Sequence, residues 1–522
     1  MMQMEAKVRI NSIYGSFGAP SFQLYNKYTA ASTTGTAQSL ISATGIAFEA
    51  FIGNHVKFKS LGECIWFMTN IVNEKYNLPS EGIKKVQSAT TVYSALVNNF
   101  FEGTFDDAVM SDIIMDFLNE CSVEELTRIC YNNNIYEFVK NPFISNILIK
   151  AFNEMDNFNN PNNVPKEIDE DMTLLWEYVS EYVFYNHSYT QRIDRLKHDK
   201  RSVVKLIDTD SNLVHVQPWV DFMNETIIPN TNNHMDNDTT MFACVNTLAF
   251  LVTKMLRSLL DNYCDACHVL ERYWKRINMK NEFCFAKLLL ASVKKRYVAK
   301  IILREGRPIV KTEIKGMDFK KASVTEFVND RMTSIINNRI LEDESVDVSG
   351  ILTDLARTEK DIYQSLHNGE RRFLLRYNCK VQEAYKNPYS MPQVLSVLAW
   401  NVIFPNQEIM LPDKLDVVLM KIPNVATIEP LRRTNPKEYD RIVNLFTNGL
   451  DTFKENGIRY LAIPNNIDSV PEFLRPYIDY DYISSRNIGT FKPIIDALQF
   501  QMAGSNKIEH FSNIRRNTNI QI

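Results

Sequence analysis

Glycine is scarce in this chain, at 16 of 522 residues. So low a count argues against a glycine-rich nucleotide cradle, and neither a P-loop nor a dinucleotide fingerprint is present. The opening residues, Met1-Met2-Gln3-Met4-Glu5-Ala6-Lys7, lack the apolar core of a secretion signal. The eight cysteines are scattered rather than spaced as a framework, which reads as reduced, buried thiols of a cytosolic protein. The longest apolar run, Met241 to Thr253, stops at Lys254 and is too short to span a bilayer, so no membrane partner is expected. The histidines form no ligand pattern. Cys264-Asp265-Ala266-Cys267-His268 has the spacing of a c-type haem attachment site, but it falls inside a predicted long helix and is read as coincidence.

The length allows two to four domains and at least one large core. The net charge of −4 is unpromising for a nucleic-acid binder until the chain is divided. Residues 55–199 hold 12 Lys+Arg against 22 Asp+Glu, a net of −10, which leaves +6 for the remainder. A polyanion is attracted to one part and repelled by the other.

Periodicity predicts helices at both ends and strands between. Lys7 to Gly15 reads as the last turns of a helix closed by a glycine, and Tyr28 to Ile52 as a second helix whose first half is crowded with small residues. Residues 55–199 read as a separate, mainly helical module. It has a helix near Phe105 to Leu118, a capping box at Ser122-Val123-Glu124-Glu125, an Asn/Pro-rich loop from Asn157 to Pro165, and an aromatic helix from Met172 to Tyr185. The period then changes. Val203 to Ile207 and Leu213 to Val216 flank Asp208-Thr209-Asp210-Ser211 as a hairpin. A long helix is predicted from Thr239 to Arg276, strands at Cys284–Leu290 and Arg296–Leu303, and helices again after a second capping box, Ser323-Val324-Thr325-Glu326.

Three motifs carry chemistry. Asp208 and Asp210, at i and i+2 on a tight turn, can both approach one divalent cation; the competing reading is a hairpin turn with no metal. Lys7, Asn11 and Tyr14 share one helical face by their spacing, a stripe suited to a triphosphate, a base edge and a packed nucleobase; the competing reading is an ordinary amphipathic helix end. Lys294-Lys295-Arg296-Tyr297 places three cations on a strand, able to grip phosphates or to form a solvated edge.

In this order the motifs resemble family B DNA polymerases, most closely those of large tailed bacteriophages. Lys7 to Gly15 is similar to the fingers motif Lys-x3-Asn-Ser-x-Tyr-Gly, Asp208 to Ser211 to the palm motif Asp-Thr-Asp-Ser, and Lys294 to Tyr297 to Lys-Lys-x-Tyr near the primer terminus. Lys315-Gly316-Met317-Asp318 resembles the segment where palm gives way to thumb, and Ile458 to Pro464, Tyr477 to Tyr480 and Phe491 to Pro493 resemble the closing thumb. The resemblance implies an α+β fold, with an antiparallel palm sheet with helices, a helical thumb, and a mainly helical insertion between fingers end and palm hairpin. The implied divisions are 1–54 (end of fingers and first palm helix), 55–199 (acidic insertion), 200–322 (palm) and 323–522 (thumb and tail).

The same resemblance implies roles. Asp210 and Asp208 would hold two Mg²⁺ ions, for which Mn²⁺ can substitute. Lys7 would bind the incoming dNTP triphosphate, with Asn11 and Tyr14 lining the nascent base-pair pocket. Lys294, Lys295, Arg296 and Tyr297 would hold primer–template DNA. Family palms also need an Asp on an Asp-x-x-Ser-Leu-Tyr-Pro segment, for which Asp479 to Ser484 is only a loose match. The expectation is therefore a split enzyme, whose partner chain supplies that Asp, the rest of the fingers and the exonuclease, in the cytoplasm of an infected bacterium or a phage replication compartment within it. The insertion is expected to dock that chain or another replication protein. A sliding-clamp contact through the tail, Lys507 to Ile522, is not expected. The alternative is a non-catalytic DNA-binding subunit of a replication complex; an unrelated helical scaffold is the remoter reading.

Overall fold

A computed structural model describes residues 2–53, 58, 60–73, 81–100, 108–154, 166–184, 201–208, 211–232, 237–342, 345–381 and 384–499. The chain forms two compact units. The first comprises Met1–Phe283 with Arg304–Pro308, and the second Cys284–Leu303 with Ile309–Ile522. This division falls inside 200–322, the stretch expected to form the palm.

The first unit begins with α1 (Met2–Gly18) and α2 (Lys27–Gly53). α1 runs through Gly15 rather than stopping there, because the chain turns only after Gly18, where Asn26 N–H returns to Phe17 C=O at 2.9 Å. Asn26 then caps α2, its Oδ1 accepting from the N–H groups of Tyr28 and Thr29 at 3.1 Å each. α2 is exposed along its small-residue half and buried from Ile41 onward.

Next come α3 (Leu61–Asn73), α4 (Ala89–Phe100), α5 (Ala108–Glu120), α6 (Val123–Tyr131), α7 (Ile135–Val139), α8 (Pro142–Asn153) and α9 (Lys166–Tyr182). The capping box at Ser122 forms in full. The predicted Asn157–Pro165 loop lies outside the described residues. These helices share the unit with the hairpin that follows. Tyr136 of α7 packs on Trp219 and Phe222, with ring centroids 5.9 and 5.1 Å apart. Phe184 meets Phe51 of α2 edge to face at 6.1 Å. Of these rings Trp219, Phe51 and Phe184 are buried, each contributing about 1.5–3 kcal/mol through burial.

The hairpin is β1 (Val204–Asp208) paired antiparallel with β2 (Ser211–Val214). α10 (Gln217–Thr226) and α11 (Asn237–Ala266) follow. Trp219 is fully buried and donates its indole N–H to Cys244 C=O at 3.0 Å, which joins them. By length and composition α11 is apolar enough to cross a membrane, but half of that span is buried, and it packs against α2, α9 and α10. It also ends ten residues earlier than predicted. His268 takes a left-handed φ of 54°, and Glu271–Arg276 forms a separate 3-10 turn.

In the second unit β3 (Phe283–Leu290), β4 (Tyr297–Arg304) and β5 (Arg307–Lys315) form one sheet in that order, with the ends of its strands crossing the unit boundary. Then come α12 (Glu326–Ile336), α13 (Val348–His367), β6 (Leu375–Asn378), α14 (Pro392–Ile403), β7 (Lys414–Ile422), α15 (Leu431–Thr434), α16 (Pro436–Asn448), α17 (Asp451–Asn456), β8 (Ile458–Ile463), α18 (Tyr480–Ile488) and α19 (Lys492–Ala497). The second predicted capping box does not form. α12 starts at Glu326, and the hydroxyl of Thr325 donates instead to Arg372 C=O at 2.7 Å.

Within this largely helical part, β6, β7 and β8 make an antiparallel sheet that periodicity alone did not reveal. β7 carries the buried Asp416, whose carboxylate is held by Arg371 at 2.8 Å and Arg376 at 2.9 Å. The predicted α+β class is the class found, with three small sheets among helices; one of them, β6-β7-β8, lies in the stretch expected to be a helical thumb.

Candidate active site

Asp208 is the last residue of β1 and pairs with Ser211, the first of β2. Asp210 and the side chain of Asp208 lie outside the described residues. What positions the hairpin is described. Val204 pairs with Val214 and Leu206 with Leu213, which leaves Lys205 as an extra residue, a bulge that bends and twists the strand leading to Asp208.

Two side chains of α2 bind this hairpin. Glu49, buried in an apolar helix, accepts the backbone N–H of Ser202 at 3.2 Å, of Val203 at 3.0 Å and of Val204 at 2.6 Å. Thr44, fully buried, donates its hydroxyl to Ile41 C=O at 2.8 Å and accepts from Asn212 Nδ2 at 2.8 Å. Asn212 Oδ1 is buried with no donor among the described residues. The orphaned Asn212 amide oxygen is a hard ligand of the kind a divalent cation such as Mg²⁺ takes. His215, just past β2, has its pKa pushed down by burial and then by the charge of Lys205.

α2 also meets the helix that carries Lys7, Asn11 and Tyr14. The Tyr14 hydroxyl hydrogen-bonds Thr34 of α2. Asn11 and Tyr14 are both exposed, and the Lys7 side chain lies outside the described residues. One continuous 27-residue helix thus contacts both the Lys7–Gly15 motif and the acidic hairpin.

The Lys294–Tyr297 motif belongs to the second unit. Lys294 and Lys295 are not on a strand as expected. They form the exposed turn between β3 and β4, with Lys295 at a left-handed φ of 64° and Ala291 N–H closing on Arg296 C=O at 2.9 Å. A turn aims cations outward from a strand end, where alternation along a strand would have divided them between faces. Tyr297 opens β4 beside Phe285, 6.3 Å between centroids.

This turn rests on Lys315-Gly316-Met317-Asp318. Gly316 has φ +66°, and a Cβ there would lie 2.6 Å from Lys295 C=O. Asp318 pairs with Arg296 at 3.1 Å and with Lys321 at 2.7 Å. Burial raises the Asp318 pKa, but these two cations outweigh it and hold the carboxyl below its ordinary value.

The other candidates separate. Asp479 caps α18 by accepting from Tyr482 N–H at 3.1 Å and pairs with Lys421 at 3.1 Å, while Asp481 accepts from the Tyr363 hydroxyl at 2.6 Å. The loose palm-like match at Asp479 to Ser484 is therefore a helix start engaged in local bonds. Cys264 is fully buried and Cys267 exposed, so the two thiols of the haem-like spacing face different surroundings.

A sequence model of the divergent family B DNA polymerases matches residues 176–512, more than half of the chain. The chain belongs to that family. The match takes in both the Asp208–Ser211 hairpin and the Lys294–Tyr297 turn, and it begins downstream of α1 and α2. No curated protein matches the chain.

Sequence reasoning missed Glu49 and Thr44, the residues that seat the Asp208–Ser211 hairpin. A lone carboxylate within Gly45-Ile46-Ala47-Phe48-Glu49-Ala50-Phe51 was the available signal, since a buried charge needs partners.

Proposed function

We propose that this family B chain takes part in template-directed transfer of nucleotides from dNTPs to a primer 3′-OH, by a two-metal mechanism. The observation that carries the reading is α2. The helix that grips the Asp208–Ser211 hairpin through Glu49 and Thr44 also bonds the Lys7–Gly15 helix at Tyr14. One element that holds a triphosphate-binding motif and a metal-binding motif lets them serve one reaction.

On this reading Asp210 and Asp208 hold Mg²⁺, or Mn²⁺ in its place, and the bound ions supply charge stabilisation at the transferred phosphoryl group. Lys7 binds the triphosphate, Asn11 and Tyr14 shape the base-pair pocket, and Lys294, Lys295, Arg296 and Tyr297 hold the primer–template. The regions keep the assignments of fingers end for 1–54, acidic insertion for 55–199, palm for 200–322 and thumb for 323–522.

The setting is a bacteriophage replication complex in the host cytoplasm. Mg²⁺-dependent primer extension, with a polypeptide carrying the Asp-x-x-Ser-Leu-Tyr-Pro segment supplied, tests the reading directly. Asp210→Asn should abolish extension; normal extension by Asp210→Asn overturns the reading.

A further inference from the structure

Past the end of α11, the chain from His268 to Lys280 is held as a rigid turn. Arg257, paired with Asp261, donates to Ile277 C=O at 2.7 Å and Trp274 C=O at 3.3 Å. The Trp274 indole N–H donates to Val269 C=O at 2.7 Å. A buried-side guanidinium and an indole thus fix the 3-10 turn Glu271–Arg276 from below.

The outer side of that turn is cationic. The guanidiniums of Arg272 and Arg276 sit 4.8 and 4.9 Å from the centroid of one ring, Tyr273. They are therefore no more than about 10 Å apart, and both are exposed, as is Lys275. Among the described residues none of the three pairs with a carboxylate, whereas neighbouring Lys280 is paired with Glu305 at 2.9 Å. Two like charges held against one aromatic ring repel each other in the free protein, and a polyanion relieves that repulsion while cation–π contacts keep both groups oriented. Guanidiniums match phosphate geometry with paired donors.

We infer that Arg272, Lys275 and Arg276, oriented by Tyr273, form a binding platform for the DNA phosphodiester backbone, additional to the Lys294–Tyr297 turn. The inference rests on the polymerase reading, which is what brings DNA to the chain. Tyr273 acts as a positioning residue, since its ring engages both guanidiniums.

The test is fluorescence anisotropy of the full chain with labelled duplex and single-stranded DNA across a salt series. Arg272→Gln/Arg276→Gln should weaken binding about tenfold at moderate salt and make the log affinity–log salt slope for duplex shallower by about two, one per lost phosphate contact. Tyr273→Leu should lose affinity while keeping the slope, because the charges remain. Lys140→Gln, which removes an exposed cation paired with Glu137, should change neither. Unchanged thermal melting shows that the variants remain folded. Wild-type affinity and slope in the double variant on both DNAs overturn the inference alone. Absence of salt-dependent DNA binding by the unmodified chain overturns both it and the polymerase reading. Loss of an acidic partner protein with DNA affinity intact overturns the inference in favour of protein docking.

Discussion

Glu49 accepts the backbone N–H of Val204 at 2.6 Å, across 155 positions of sequence. That bond fixes where β1 starts, and β1 reaches Asp208 four residues later. Glu49→Gln keeps the shape but exchanges one acceptor oxygen for a donor facing N–H groups. Stability should fall by about 1–3 kcal/mol, with primer extension falling further because the hairpin shifts. Glu49→Ala should be worse on both counts. Thermal melting and extension rates on the same preparations check this; an unchanged extension rate in a destabilised Glu49→Gln would show that the bond serves stability alone.

Gly316 is irreplaceable for two reasons that act together, its left-handed φ and the 2.6 Å approach of Lys295 C=O to any added Cβ. Gly316→Ala should cost about 1–3 kcal/mol and weaken primer–template affinity by displacing the Lys294–Lys295 turn. Calorimetry and DNA titration read the two effects. A fully stable Gly316→Ala with normal affinity would remove the turn from the binding account.

Asp318 sets an acid limit. Its folded pKa lies below its ordinary value, so the stability it contributes is complete above about pH 4 and is lost as pH falls through the folded pKa. The contribution is modest, because the group is partly exposed. Asp318→Asn should flatten this part of the acid-unfolding curve and loosen the Arg296 turn at neutral pH. An acid transition identical to that of the unmodified chain would contradict the assignment.

The thiols should divide by burial. Cys64, Cys130 and Cys244 are pushed up to about 12 by burial, with smaller charge and hydrogen-bond effects at Cys130 and Cys244, and thiolate is the reactive form. Cys267 is exposed. Native labelling with a maleimide near neutral pH, read by peptide mass spectrometry, should mark Cys267 first and the other three only on unfolding. Early labelling of Cys244 would mean that the α10–α11 packing opens readily.

Much of this arrangement was legible in the sequence, where local period and local contact agree. α2, the capping box at Ser122, the β1–β2 hairpin and the strands β3 and β4 follow from apolar spacing and turn chemistry. What was illegible depends on distant partners. β7 contains a buried aspartate that breaks its apolar pattern until Arg371 and Arg376 are known to neutralise it. The helix expected from Thr239 to Arg276 stops at Ala266 because Arg257, far back in the sequence, captures Trp274 and Ile277 in a separate turn. Lys294 and Lys295 read as strand because nothing local shows that Gly316 lies beneath them. Among the site residues, types and order were visible, while the supports Glu49, Thr44 and Asp318 act across long sequence separations.

The most direct test of the account is Mg²⁺-dependent primer extension by the chain supplemented with a polypeptide carrying the Asp-x-x-Ser-Leu-Tyr-Pro segment, comparing the unmodified protein with Asp210→Asn. The account predicts that Asp210→Asn abolishes extension while primer–template affinity stays nearly unchanged. Normal turnover by Asp210→Asn would contradict it.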